Sequence, residues 1–74
     1  MVKPPVVGKR YKGWIPGIGD FVGECFSSVG SAWEFKVEDR VEGRSRVWEI
    51  GELMAVGALE VRSLEEIPLD AQGS

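Results

Sequence analysis

The chain has 74 residues, 43% of them hydrophobic, with one cysteine, no histidine and a net charge of −3. That is enough for a single small globular domain and too apolar for a disordered segment. The lone Cys25 cannot close an internal disulfide and no histidine is present for the common zinc sets, so apolar packing must hold the core without staples.

Ten glycines punctuate short runs rich in Val, Trp, Phe and Ile, the pattern of a mostly β chain. Residues 1–5 are expected to form an extended arm, since Pro4 and Pro5 discourage pairing. Residues 6–14, "VVGKRYKGW", read as a first strand, and "IPGIGD" as a Pro/Gly-rich loop. "FVGECFSSV" reads as a second strand whose inward face is open: Val22 and Phe26 compete with Phe21, Gly23 and Cys25, and a bulge at Gly23 would reconcile them.

"GSA" makes a turn, and residues 33–50 follow as a hairpin. Trp33, Phe35 and Val37 alternate with Glu34, Lys36 and Glu38, the period of a strand with one buried face. Turning the chain at Glu42 and Gly43, with positive φ at the glycine, sets Phe35 opposite Ile50, Val37 opposite Trp48, Lys36 opposite Glu49 and Asp39 opposite Arg46. "GELMAVG" lacks alternation and suits one helical or 3-10 turn; "ALEVR" then reads as the last strand. "SLEEIP" has a capping-box spacing from Ser63 to Glu66, and "LDAQGS" is expected to be a disordered tail.

Five short strands, a long first loop at "GWIPGIGD", a tight hairpin at "VEGR" and one helical or 3-10 turn before the last strand resemble the layout of the SH3-like small barrel over residues 6–62. Residues 63–74 would form a short C-terminal turn and flexible tail. The acidic loop, paired tryptophans and Pro-x-x-Tyr element of polyproline-binding SH3 domains are absent, so the resemblance implies a fold without that function.

Without histidine the usual base for Ser27, Ser28 or Cys25 is missing, and "PGIGD" lacks the residues that complete a phosphate loop or dinucleotide fingerprint. The expectation is a non-catalytic protein that uses no cofactor or metal. Type II dihydrofolate reductases are SH3-like enzymes that build one pore from several subunits; their Val-Gln-Ile-Tyr motif has only Arg46–Ile50 to stand for it, which leaves an oligomeric enzyme subunit as a remote alternative.

The favoured reading is a protein-binding module, with Trp14, Ile15 and Ile18 of the first loop as its apolar contact unless they cap the core. A second copy of the chain is an alternative partner. The alternative class is a nucleic-acid-binding barrel using Lys9, Arg10, Tyr11, Lys12 and Trp14, which an acidic body disfavours. The first 19 residues hold four basic groups and no acid, while the rest hold all twelve acids against five bases. The split either orients the molecule toward a charged partner or, the favoured reading, marks a basic tail folding back on its own acidic body. Two narrower readings are an aromatic cage of Tyr11, Trp14, Trp33 and Trp48 with Glu34 or Glu52, and nucleic-acid mimicry by Glu38, Glu42, Glu60, Glu65, Glu66 and Asp70. No signal-peptide core or long apolar run is present, so a cytoplasmic, membrane-free location is expected.

Overall fold

A computed structural model describes residues 2–69. Its strands are β1 (Arg10–Ile15), β2 (Gly19–Ser27), β3 (Ala32–Val37), β4 (Val41–Glu42), β5 (Val47–Trp48), β6 (Leu53–Gly57) and β7 (Ser63–Ile67), with a 3-10 turn at Ala58–Glu60. Five of them form one antiparallel sheet in the order β6-β3-β2-β1-β7, and β4 pairs with β5 separately. The chain is mostly β, as its composition implies, but the sheet is open at β6 and β7 and does not close into the expected barrel.

Alternation builds the core. Tyr11 and Ile15 of β1, Phe21 and Cys25 of β2, Trp33, Phe35 and Val37 of β3, and Met54 and Val56 of β6 all point to one face and are buried. Val41, Trp48, Ala58 and Val61 cover that face from the hairpin tip and the 3-10 segment. Phe35 is at its centre, with the ring of Phe21 at 5.0 Å and that of Tyr11 edge-on at 6.3 Å. The phase of β2 is thereby decided for Phe21, Gly23 and Cys25; Phe26 is exposed, and the register slips between Cys25 and Ser27 rather than at Gly23.

The 33–50 hairpin exists in a different register. Val41 faces Trp48 and Glu42 faces Val47, and the tip is drawn together where Gly43 N–H donates to Arg46 O at 2.8 Å. Phe35 faces Met54 and Trp33 faces Val56, so β3–β6 and β4–β5 are two parts of one long hairpin in the same register. Relative to the expected pairing, the returning arm slides by an even number of residues, which is why Trp33, Phe35, Val37 and Trp48 keep their inward face. The pairings expected for Lys36 and Asp39 are both replaced: Lys36 faces Leu53, and the ion pair near the tip joins Arg40 to Glu49.

Ile50 does not reach the core. Between the two ladders the chain turns at Glu49–Glu52, where Glu52 N–H donates to Glu49 O at 3.0 Å and Gly51 takes φ +90°. That turn lifts Ile50 into solvent. Gly43 is not in the left-handed region. It is needed for closeness, because a Cβ there would stand 3.0 Å from the Trp48 ring.

The first strand begins at Arg10, after a turn at Val7 and Gly8. "LMAVG" is a strand, "ALE" is the 3-10 turn, and "SLEEI" pairs with β1 as the last strand, beyond the span expected for the domain. One short turn before the last strand is therefore present, one element later than expected. Of the segment expected to be a tail, residues 70–74 lie outside the described residues.

Candidate protein-binding surface

The first loop is held down at both ends. Ile15 is 1% exposed, Ile18 packs against the core, and Ile18 N–H donates to Ile15 O at 3.0 Å. The hairpin tip clamps the loop from above, with Arg44 N–H donating to Gly17 O at 2.7 Å. Ile15 is thus a core residue and offers nothing to a partner. Trp14, on the opposite face of β1 between Asp20 of β2 and Ser63 of β7, remains 42% exposed.

The basic segment is matched by acids of the same chain. Lys9 Nζ lies 3.3 Å from a Glu66 carboxylate oxygen, and Lys12 sits directly opposite Glu65 in the β1–β7 register. Arg10 Nε donates to both carboxylate oxygens of Glu38, at 2.8 and 3.0 Å. These bonds hold the Glu38 carboxyl below the usual carboxylate range and raise the Arg10 guanidinium above its ordinary value. Tyr11 is buried, and its hydroxyl oxygen accepts from Val6 N–H at 2.8 Å. No base can stack on a ring so placed.

The four aromatics do not meet as a cage. Tyr11, Trp33 and Trp48 are in the core and Trp14 is on the other face of the sheet. The cation over Trp48 is the chain's own Arg46, 5.0 Å from the ring centroid. Several of the acids considered for mimicry are also engaged: Glu38 with Arg10, Glu66 with Lys9, and Glu42 with Arg40, which Glu49 shares at 3.3 Å. Among the described residues no group of three or more Cys, Asp or Glu side chains is placed to hold a metal ion. No described helix is long and apolar enough to cross a membrane.

An apolar groove that the sequence did not point to lies at the end of the sheet. Val2 and Pro4 of the arm, Gly30 and Ser31 of the β2–β3 turn, Trp33, Ala58 and Leu59 line an open concavity of about 460 Å³. Trp33 and Ala58 form its floor as core residues, while Leu59 stands at its rim 71% exposed on the 3-10 turn. Val29, next in sequence to the groove, is 84% exposed. The indole N–H of Trp33 is buried without an acceptor among the described residues. These residues come from three distant segments, so no local motif could have announced them.

Comparison with models of known protein families, with curated proteins and with solved structures gives no match to this chain.

Proposed function

We propose that the chain is a non-catalytic protein-binding module that receives an apolar side chain of its partner in the groove between the N-terminal arm and the 3-10 turn. The observation that carries this reading is Leu59, 71% exposed on an ordered turn beside a groove whose other walls are almost wholly apolar. A leucine left in water at the rim of an apolar concavity gains by being covered, by roughly 1.5–3 kcal/mol if burial is complete. Trp14 is a second exposed apolar group, on another face, and would enlarge the contact only for a partner that wraps the β1–β7 edge.

The internal matching of Lys9, Arg10 and Lys12 supports a protein partner over nucleic acid, because phosphate binding would first have to displace Glu66 and Glu38. The absence of histidine supports the non-catalytic reading. The sheet order with one 3-10 turn before its last strand supports an opened SH3-like arrangement. A cytoplasmic setting belongs to the same proposal.

The test is binding of a partner captured from the source cell after nuclease treatment. Leu59→Ser should weaken the complex at least about tenfold, the equivalent of 1.4 kcal/mol, and added salt should change it little. Unchanged affinity in Leu59→Ser together with loss in Trp14→Ala would move the contact to β1. A partner that nuclease treatment removes, and whose binding without nuclease falls steeply with salt, would return the nucleic-acid reading.

A further inference from the structure

The two edges of the sheet are built differently. β7 carries Glu65 and Glu66 and is followed closely by Pro68, so two copies meeting there would set carboxylates against each other. β6, "LMAVG", has no charge, no proline and no bulge in its pairing with β3. Edge strands are normally guarded by such features, and β6 has none of them.

Its backbone is also poised to pair. At the two ends of the strand, Val37 N–H donates to Glu52 O at 3.0 Å and Ala58 N–H donates to Ser31 O at 2.8 Å. Backbone groups alternate in direction along a strand, so Met54 and Val56 turn theirs toward β3, while Leu53, Ala55 and Gly57 turn theirs to the open side. No strand among the described residues lies there.

We propose that β6 is a self-association edge, which pairs antiparallel with β6 of a second copy about a two-fold axis at Ala55. In that register Ala55 faces Ala55 of the copy, and Leu53 faces the copy's Gly57. A large apolar side chain then lies over a glycine on each side of the axis. The side chains that meet directly across the seam, Leu53, Ala55 and Gly57, are all uncharged. Three acids border the seam without entering it: Glu34 stands opposite Ala55 on the inner neighbour β3, Glu52 directly precedes Leu53, and the Glu60 side chain lies alongside Gly57 at the end of the strand. About six backbone hydrogen bonds would form, over an area below the roughly 1,200 Å² of a standard stable interface. The dimer is accordingly weak and concentration-dependent.

Sedimentation velocity over a concentration series tests this, with thermal melts of each variant as the control for folding. The parent chain should shift toward the two-chain mass as concentration rises. Ala55→Lys and Ala55→Glu, each placing like charges across the axis at an exposed position, should raise the dissociation constant at least about tenfold. Mixing the two variants should restore association, because only a 55-to-55 contact makes them complementary. A parent that stays single up to about 1 mM overturns the proposal. So does association that both variants retain, which would place the contact elsewhere, the Leu59 groove included.

Discussion

The Phe21 ring occupies the space that a side chain at Gly13 would need. The two face each other across β1 and β2, and a Cβ at Gly13 would stand 2.6 Å from Phe21 Cε1 and 2.9 Å from the carbonyl oxygen of Ser63 on β7. Gly13→Ala should therefore destabilise the fold by about 1–3 kcal/mol, the usual cost of overpacking, read from urea denaturation. Adding Phe21→Leu should not restore the Gly13→Ala chain to parental stability, because the Ser63 carbonyl belongs to the backbone of a paired strand and cannot rotate away. Full recovery would show that β7 yields more easily than its pairing implies.

The hairpin register gives opposite expectations for two neighbours. Trp48 is buried at 8% exposure and Ile50 is 69% exposed. Trp48→Ala should cost about 3–5 kcal/mol, whereas Ile50→Ser should stay within about 0.5 kcal/mol. Cross-strand backbone NOEs should join Val41 to Trp48 and Phe35 to Met54. NOEs joining Val37 to Trp48 and Phe35 to Ile50 as backbone pairs would restore the shorter hairpin.

The Arg10–Glu38 pair predicts a specific acid response. Arg10 donates hydrogen bonds to the Glu38 carboxylate and so lowers its pKa in the folded state from the ordinary 4.5. A group depressed by folding contributes stability that is fully present above its unfolded value and is lost as pH falls through the folded one. Glu38→Gln should flatten that acid limb while lowering stability at neutral pH. Thermal melts from neutral to acid pH measure both effects. An unchanged acid limb in the variant would show that other carboxylates carry it.

Cys25 should serve as an internal reporter of opening. Its side chain is 1% exposed, and burial pushes its thiol pKa up, so little of the reactive thiolate exists at neutral pH. Iodoacetamide should label it only as the chain opens, with a urea dependence that follows the unfolding transition. Rapid labelling of the folded chain would mean that the β1–β2 ladder breathes near Lys9, whose carbonyl accepts the Cys25 N–H at 2.9 Å.

What could be read in the sequence depended on whether polar residues marked the strand period. Trp33, Phe35 and Val37 are separated by charges, and their burial was legible from spacing alone. Leu53, Met54, Ala55 and Val56 form an unbroken apolar run; with no polar residue on the outward face, the alternation that buries Met54 and Val56 is invisible. The adjacent Glu65 and Glu66 imitate the start of a helix, although pairing with β1 makes them part of a strand. Leu59 and Val61, spaced as on a strand, belong instead to a 3-10 turn and the residue that ends it, where one is exposed and the other buried. The groove was beyond reach for a different reason: its walls are assembled by topology from the arm, one turn and the chain after β6.

The matching of β1 by β7 joins positions 10 and 67, so this pairing closes nearly the whole chain, while the β3–β6 hairpin is local. Closing a long loop costs more entropy than closing a short one, which makes β7 the natural latecomer to the sheet. Until it arrives, β1 is itself an open edge, displaying Lys9, Arg10 and Lys12. Lysine-rich edges pair poorly with other chains. Lys9 and Lys12, which later meet Glu66 and Glu65, thus double as a guard for β1 while it lacks its last partner.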